Sequence, residues 1–257
     1  MARTYVITGA ASGIGAATAR LLVEAGHRVV GVDRRDADVC ADLSTPAGRA
    51  GAVSDVDGIT GGQVDAVIAS AGTSGLGATD VRVDYFGARA TLDGLRPLLA
   101  RANAPRAVAV LSFALVLPVS DALVEACLHG DEERAVAVVT GPPPVDPPVA
   151  YASAKRALAR WVRRRAPAAD WAGAGIPLNG VAPGIVRTPM TAPLLADTEE
   201  ARTLMDTVPT PLGGIAEPGA VATVLAFLTS EALQSVTGQV LFVDGGADCV
   251  TRGDDVF

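Results

Sequence analysis

Short apolar runs alternate along the chain with longer stretches whose apolar residues recur at helical spacing. The runs predict strands at Tyr5–Thr8, Arg28–Asp33, Val39–Asp42, Val64–Ser70, Ala107–Ser112, Leu178–Ala182 and Val240–Val243. The helical spacing predicts helices at Gly13–Ala25, Ala78–Leu99, Tyr151–Arg165 and around Gly219–Leu228. Strands that are apolar throughout and separated by helices are typical of a parallel sheet covered on both faces. With right-handed crossovers, the pattern predicts an α/β protein with a doubly wound parallel sheet of about seven strands and helices on both faces.

The stretch at about 118–149 departs from this alternation. Asp121–His129 and Glu132–Val139 have helical patterns, and Gly141–Pro148 then holds five prolines in seven residues. Such a density of proline is incompatible with a helix or a central strand, so we expect a stiff, extended surface segment. A proline-rich ligand for an SH3-type module is the alternative. Since no repeat or domain break is visible, we expect residues 1–257 to form one domain with an insertion here.

The composition is that of a folded protein. The 257 residues are 49% hydrophobic and 19% charged, with a net charge of −7. Disorder is therefore excluded, and the acidic balance argues against nucleic acid and anionic membranes as partners. No apolar run reaches the ~18 residues of a membrane span, and the first strand pattern begins at Tyr5, which leaves no room for a signal peptide. We expect a cytoplasmic protein.

Three cysteines are scattered along the chain, at Cys40, Cys127 and Cys249. They are too few and too far apart for a disulfide framework or a zinc cluster. We therefore expect no metal site.

A glycine-rich turn joins the first predicted strand to the first predicted helix, in the run Thr8–Gly15. Glycines permit a tight turn and a close approach of the backbone to a pyrophosphate, and the start of a helix supplies free N–H groups and a positive dipole end. Glycine repeats also arise by chance in a glycine-rich chain, but this one stands where a nucleotide site must be. The residues expected to bind the cofactor here are Gly9, Ser12, Gly13, Ile14 and Gly15.

Asp33 ends the second predicted strand. A carboxylate there accepts hydrogen bonds from the adenosine ribose and repels a 2′-phosphate, which favours NAD over NADP. Arg34 and Arg35 follow directly and would pair with such a phosphate, so NADP stays open as the less favoured cofactor. A solvated carboxylate at a strand end is the structural alternative. Asp42 and Leu43, after the third strand, are expected to border the adenine.

The chain has 20 arginines and a single lysine, Lys155. This composition indicates a mutational bias that replaces lysine by arginine wherever either residue will serve. A position that stays lysine is therefore expected to need a property that arginine lacks. Tyr151 and Lys155 stand at i and i+4 and so share a helix face. An ammonium beside a phenol favours the phenolate and lowers its pKa, which suits a general acid or base toward a carbonyl or an alcohol. A surface helix pair is the structural alternative.

These motifs, in this order, resemble those of the short-chain dehydrogenase/reductase family over nearly the whole chain. The motifs are Thr8–Gly15, Ser70–Gly72, Ser112, Tyr151 with Lys155, Asn179–Gly184 and Val243–Gly246. In detail the chain most resembles the bacterial 3α-hydroxysteroid dehydrogenase/carbonyl reductase branch, which also includes dehydrogenases of the coniferyl-alcohol type. The features that carry this are Gly31–Asp33, Ala41–Ser44, Tyr85–Ala88 and the insertion between Ser112 and Tyr151.

The resemblance implies a Rossmann fold and a role for each catalytic residue. Tyr151 would exchange a proton with the carbonyl or alcohol oxygen, Ser112 would hold that oxygen, and Lys155 would hold the nicotinamide ribose and tune Tyr151. It adds cofactor contacts at Ala71, Gly72, Pro183, Gly184, Val186 and Thr188. It also implies a homodimer or homotetramer.

The resemblance further implies a substrate lid at about 189–210. This segment is rich in apolar side chains, which suit an apolar carbonyl or alcohol substrate and are equally compatible with a helix core. They are Met190, Leu194, Leu195, Leu204 and Met205.

Two positions depart from the family pattern. Asp84 stands where the family usually has asparagine as a fourth catalytic residue, and Ser70 replaces an asparagine that commonly precedes Ala-Gly. An aspartate still accepts hydrogen bonds but lacks the amide donor and adds charge, so we expect an altered proton relay through Lys155.

The main hypothesis is an NAD-dependent oxidoreductase that interconverts a secondary alcohol and a ketone. One alternative is a nucleotide-sensing protein that has lost turnover, for which Asp84 is the one supporting residue. A dehydrogenase for aromatic alcohols is another. A dehydratase or epimerase of the same fold usually needs a larger substrate domain than this chain can hold.

Overall fold

Seven parallel strands form one sheet in the order β3-β2-β1-β4-β5-β6-β7. They belong to a computed structural model that describes residues 2–254 and 256. The strands are β1 (Thr4–Thr8), β2 (Arg28–Asp33), β3 (Val39–Cys40), β4 (Ala66–Ala69), β5 (Arg106–Val110), β6 (Leu178–Pro183) and β7 (Val240–Val243). The chain builds outward from β1 to β3 and then returns to β4, so the strand order reverses between β1 and β4. Ligands of doubly wound sheets bind outside the carboxyl ends of the strands at such a reversal.

Helices connect the strands and cover both faces of the sheet. They are α1 (Gly13–Glu24), α2 (Pro46–Thr60), α3 (Ala78–Asp80), α4 (Ala88–Leu99), α5 (Asp121–His129), α6 (Glu132–Thr140), α7 (Pro147–Arg165), α8 (Ala192–Ala196), α9 (Thr198–Thr207), α10 (Pro218–Leu228) and α11 (Ala247–Arg252). A π-helical stretch, Val81–Gly87, joins α3 to α4, and 3₁₀ turns lie at Phe113–Val116 and Ala172–Ala174. The predicted doubly wound fold is confirmed.

Two apolar clusters lie on opposite faces of the sheet. Val6 and Val67 point toward the face covered by α2, α4 and α7, whereas Ile7 and Ile68 point toward α1 and α10. Successive residues of a strand face opposite sides, so a strand that is apolar at every position feeds both clusters. This is why the strands are uniform apolar runs in the sequence.

Helix α2 was not among the predicted elements. Its sequence is rich in alanine, glycine and aspartate and buries few residues, so its apolar period is weak. Its start is nevertheless well defined, because the Thr45 hydroxyl accepts a hydrogen bond from the Gly48 N–H at 3.0 Å and Pro46 occupies the first turn.

The proline-rich segment is extended only in part. Helix α7 begins at Pro147, so Pro147 and Pro148 lie within its first turn, and the expectation that all five prolines stand outside a helix is wrong. The first residues of a helix have no intrahelical use for their N–H groups, and proline's fixed φ already suits a helix. The predicted helix Ala78–Leu99 is continuous but passes through the π-helical stretch, with Pro97 in its last turn.

Within residues 2–254 and 256, none of the helices combines the length and the apolar character that a membrane crossing requires.

Candidate active site

Three glycines shape the turn between β1 and α1. Gly9 has a φ of +72°, and a Cβ there would lie 2.9 Å from the Ala71 backbone. A Cβ at Gly15 would lie 2.1 Å from the Gly9 carbonyl oxygen. Gly13 has a φ of +55° and faces the Thr188 methyl group. Larger residues do not fit these positions, so the turn requires glycine at each of them.

The start of α1 carries unused hydrogen-bond donors. The first backbone bond of the helix runs from the Ala16 N–H to the Ser12 carbonyl, 3.1 Å, so the N–H groups of Gly13, Ile14 and Gly15 have no partner within the helix. The Ser12 side chain does not cap them. This arrangement fits an anion such as a diphosphate.

Thr8 joins the carboxyl ends of β1 and β4, which flank the reversal in strand order. Its hydroxyl oxygen accepts hydrogen bonds from the N–H groups of Ser70 and Ala71, both at 3.0 Å. Ala71 is thereby held against the glycine turn, and the cofactor contacts at Ala71 and Gly72 stay a prediction. Thr8 was not among the predicted site residues, although it opens the glycine motif.

Asp33 lies at the end of β2 and faces the turn. One carboxylate oxygen accepts from the Ala11 N–H at 3.0 Å and the other from the Arg34 N–H at 2.7 Å. The carboxylate therefore fixes the turn in addition to being available to a ligand. Arg34 and Arg35 are exposed, and Arg35 lies 3.9 Å from Asp36.

The two residues predicted to border the adenine differ in exposure. Asp42 is exposed, and hydrogen bonds from Ser44 hold its pKa below the usual range. Leu43 is 5% exposed and packs in the core cluster that contains Phe86. The Leu43 side chain therefore anchors this turn in the core and is not presented at the surface.

A buried ion pair lies at the centre of the site. The Lys155 ammonium is 2.7 Å from Asp84 Oδ1, and the two residues are 4% and 0% exposed. The ammonium also donates to the Val110 carbonyl at 3.1 Å. A Cβ at Gly72 would lie 2.7 Å from the same Asp84 oxygen, so glycine is needed there for the carboxylate to approach.

A second carboxylate supports Asp84. Asp84 Oδ2 accepts from the Thr73 N–H at 3.2 Å, and the Thr73 hydroxyl donates to Asp80 at 2.8 Å. Asp80, fully buried, also accepts from the Leu76 and Gly77 N–H groups. Sequence reasoning missed Asp80 and Thr73. The available signal was that Asp80 stands four residues before Asp84 in the same predicted helix.

Burial and the attraction between charges act against each other in this centre. It raises the pKa of Asp84 to about 6, although Lys155 acts in the opposite direction. The pKa of Lys155 is raised as well, because the attraction of Asp84 and Tyr151 outweighs the effect of burial. The carboxylate therefore secures the charged form of the lysine at neutral pH.

Tyr151 is half-buried on α7, with its ring centroid 5.7 Å from the Lys155 ammonium. Burial raises its pKa, while Lys155 and a hydrogen bond with Ser112 lower it less strongly. The predicted lowering of this pKa is therefore wrong, because i,i+4 spacing reveals the lysine but not the desolvation. The Ser112 hydroxyl lies at the start of the Phe113–Val116 turn and accepts from the Ala114 N–H at 3.1 Å. At neutral pH the phenol is a proton donor.

The segment after β6 contains the predicted nicotinamide contacts. Pro183 ends β6, and a Cβ at Gly184 would lie 2.9 Å from the Asp244 Cα. Thr188 exchanges hydrogen bonds with Thr191 and abuts Gly13 of the turn. The Val186 side chain is 3% exposed and packs in the α1–α10 cluster, so only its backbone is near the surface of the site.

The segment 189–210 contains α8 and α9. Leu195 and Leu204 pack against a small cluster that contains Phe113, the residue after Ser112. Met190, Leu194 and Met205 are 42%, 39% and 44% exposed. The five apolar residues singled out in the sequence therefore divide into two that pack on this cluster and three that face solvent.

Comparison with known proteins agrees with this geometry. Residues 9–248 match the family model described as enoyl-(acyl carrier protein) reductase. A 3-alpha-hydroxysteroid dehydrogenase/carbonyl reductase of Comamonas testosteroni is 41% identical over 253 residues, which are 96% of this chain and 97% of the relative. A cis-4-hydroxycyclohexanecarboxylate dehydrogenase of Sinomonas cyclohexanicum is 32% identical, with 96% and 97% covered.

A solved structure with substantial sequence identity also matches nearly the whole chain. The 3-alpha-hydroxysteroid dehydrogenase of Pseudomonas sp. B-0831, crystallised with NADH, has a TM-score of 0.89 and 43% identity, and the match covers 98% of this chain and 99% of that one. The fold, the glycine turn and these matches define a pyridine-nucleotide oxidoreductase. The chain belongs to the short-chain dehydrogenase/reductase family.

Proposed function

We propose that this protein is an NAD-dependent dehydrogenase that interconverts a secondary alcohol and a ketone on an apolar, steroid-like substrate. The observation that carries the proposal is the Lys155–Asp84 pair, buried at the end of the sheet where the strand order reverses, with Tyr151 beside it. The substrate class is supported by the names of the relatives that match over the whole chain.

The residues present fit a dinucleotide. The donors at the start of α1 would hold the diphosphate, Asp33 the adenosine ribose, and Lys155 the nicotinamide ribose. When bound, the cofactor supplies or accepts the hydride. We propose that the nicotinamide half contacts residues of two segments. These residues are Pro183, Gly184, Val186 and Thr188 at the end of β6 and beyond it, and Ala71 and Gly72 after β4.

Tyr151 and Ser112 would act on the substrate oxygen. In the reductive direction the protonated phenol of Tyr151 donates its proton to the carbonyl oxygen, while the Ser112 hydroxyl donates a hydrogen bond that holds this oxygen. The Lys155 ammonium then stabilises the phenolate left behind. In the oxidative direction the same phenolate removes the alcohol proton. Asp84 keeps the ammonium in place and charged, a role in which it replaces the usual asparagine.

The cofactor preference follows from the Asp33 carboxylate. A 2′-phosphate would approach a negative charge that is fixed in place by Ala11, so NADH is expected to bind more tightly than NADPH. Calorimetric titration with both cofactors measures this. Asp33→Asn keeps an acceptor for Ala11 and removes the charge, so it should narrow the preference. Tighter binding of NADPH by the wild type would show that Arg34 or Arg35 decides instead.

The substrate class is tested by following NADH absorbance with a panel of carbonyls. We expect turnover of 3-ketosteroids and simple cyclic ketones, because two relatives that match over the whole chain are named for a hydroxysteroid and a hydroxycyclohexanecarboxylate substrate. Leu195 and Leu204 add apolar side chains that pack on the cluster of Phe113. Preferential turnover of aromatic aldehydes would favour the coniferyl type instead. Absence of turnover with every member, in protein that binds NADH, would contradict the proposed reaction.

We extend the proposal to a homodimer or homotetramer in the cytoplasm. Two large apolar side chains, Phe227 on α10 and Leu241 on the edge strand β7, are 56% and 44% exposed. Leu241 alternates with Phe242 along β7 and so faces the side of the sheet that α10 covers, which gives a second copy an apolar surface to pack on. Free thiols at Cys40, Cys127 and Cys249 suit a reducing compartment. Light scattering that finds a monomer would contradict the oligomer.

A further inference from the structure

Arg49 is a buried arginine on α2 with a partner for each part of its guanidinium. Nε donates to the Leu43 carbonyl at 2.8 Å, and Nη2 donates to the Ser44 and Arg82 carbonyls at 3.2 and 3.3 Å. The residue is only 9% exposed. Arginine's rigid fork of donors lets one side chain hold several carbonyls at once.

The fourth partner of Arg49 comes from the insertion. Nη1 and Nη2 donate to the two carboxylate oxygens of Glu132 at 2.6 and 2.9 Å, a bidentate pair whose side chains are 10% and 23% exposed. Glu132 is the first residue of α6. A bidentate, largely desolvated pair is geometrically demanding, and loss of Glu132 leaves the charge of Arg49 without this carboxylate. Glu132 Oε1 also lies 3.8 Å from Arg82 Nε.

Arg49 therefore links the insertion to the turn after β3. Strand β3 pairs with β2 so that Cys40 lies opposite Asp33, and the Ala41 N–H donates to the Asp33 carbonyl at 2.8 Å. The turn Asp42–Ser44 follows immediately. It therefore follows the residue that bonds to the backbone of Asp33, whose carboxylate the proposed function assigns to the adenosine ribose.

The turn fixes its own shape, and its position is set by the core packing of the Leu43 side chain together with the bonds from Arg49. The Ser44 N–H donates to the Asp42 side chain at 2.9 Å, and the Thr45 N–H and hydroxyl donate to the Asp42 carbonyl. These bonds lie within the turn itself. The Arg49 bonds to Leu43 and Ser44 are the ones that connect it to Arg82 of the π-helical stretch and to Glu132.

We propose that Arg49 and Glu132 are positioning residues for the adenosine half of the cofactor, and that the insertion stabilises this end of the site through them. The inference rests on the proposed function, in which NAD binds with its adenosine against Asp33 and the turn Asp42–Ser44. Without Glu132, Arg49 loses its bidentate partner and keeps only its bonds to backbone carbonyls. The turn must then be ordered at the moment of binding, which weakens affinity.

The test compares Glu132→Gln with wild type in the full-length protein. We expect the calorimetric Kd for NADH to rise roughly 10-fold, the effect of one lost charge-assisted contact. KM for NADH should rise in parallel, with kcat at saturating NADH unchanged. Reduced nicotinamide mononucleotide lacks the adenosine, so its kcat/KM as hydride donor should not change. Glu133→Gln, an equal loss of charge at the exposed neighbouring residue, should behave as wild type.

The outcomes separate the two proposals. An unchanged Kd for NADH in Glu132→Gln, or an equal loss with the mononucleotide, would overturn the positioning role. If Glu132→Gln does not fold, Arg49→Lys takes its place, because one ammonium cannot reach Leu43, Ser44 and Glu132 together, and the same selective loss is expected. Failure of the wild type to bind NADH would contradict the proposed function itself.

Discussion

The glycine turn and the Lys155 centre, which adjoin in space, are built in opposite ways. The turn takes Gly9, Gly13 and Gly15 from one short run, and it presents backbone N–H groups whose direction follows from the local conformation. The Lys155 centre takes a carboxylate from the π-helical stretch, a carbonyl from β5 and an ammonium from α7. A phosphate site can thus be made by neighbours in sequence. A buried charge needs partners from distant segments to offset its desolvation.

The largest loss of turnover is expected from Tyr151→Phe, which changes the Lys155 centre and leaves the glycine turn unchanged. It removes the proton-transferring oxygen, and general acid–base catalysis is worth ~10²–10⁴-fold, so kcat should fall by that order. The calorimetric Kd for NADH should stay close to the wild-type value. Turnover within a few-fold of wild type would remove Tyr151 from the mechanism.

Lys155→Arg should lower kcat about 10²-fold or more and weaken NADH binding as well. The charge is kept, but the ammonium sits between Asp84, Val110 and Gly72, where a planar guanidinium does not fit. Steady-state kinetics and calorimetry together measure both losses. Arg164→Lys, the reverse exchange at an exposed position of α7, is the matched control and should be silent. Near-normal activity of Lys155→Arg would make the lone lysine an accident of composition.

Gly15→Ala should distort the glycine turn and leave the Lys155 centre unchanged. Its Cβ would meet the Gly9 carbonyl oxygen, so the backbone that presents the N–H groups must shift. We expect the Kd for NADH to rise at least about 10-fold, because charge-assisted bonds to the diphosphate would be lost. Gly58→Ala on α2 meets nothing within 4 Å and should leave binding unchanged while stabilising the helix slightly. Equal Kd values for the two variants would contradict the assigned diphosphate site.

Asp84→Asn should have the smallest effect of these variants. Its effect is expected in the pH dependence of stability, which tests the charge of the Lys155 centre. The folded-state pKa of Asp84 is raised from 3.8 to about 6, so the folded protein binds this proton more tightly than the unfolded chain does. The contribution of Asp84 to stability is therefore greatest below about pH 4, declines as pH rises toward 6 and is constant above. Urea unfolding of both proteins from pH 4 to 8 should show this decline in wild type relative to Asp84→Asn.

The same variant has a kinetic readout. Protonation of Asp84 below about pH 6 removes the anchor of Lys155, so the kcat/KM of wild type should fall there relative to Asp84→Asn. Parallel pH profiles for the two proteins, in unfolding and in kinetics, would show that this carboxylate does not titrate in the folded state.

Local sequence patterns sufficed for three predictions: apolar runs separated by helices predict the doubly wound sheet, the glycine motif between strand and helix predicts the tight turn, and i,i+4 spacing predicts the Tyr151–Lys155 face. Each pattern involves residues that are close together in sequence. The same locality explains what was missed. The apolar period of α2 is too weak to mark a helix, and the start of α7 at Pro147 depends on cap geometry rather than periodicity.

By itself, then, the sequence determined which residues are available for chemistry. The tertiary structure decided their burial, their charge partners and the direction of their pKa shifts. The chain order does not reveal that Asp84 is fully buried against Lys155, that burial raises the pKa of Tyr151 rather than lowering it, or that Glu132 reaches Arg49. The physical reason is that desolvation and Coulomb attraction depend on everything packed around a group, and most of that surrounding comes from segments far away in sequence.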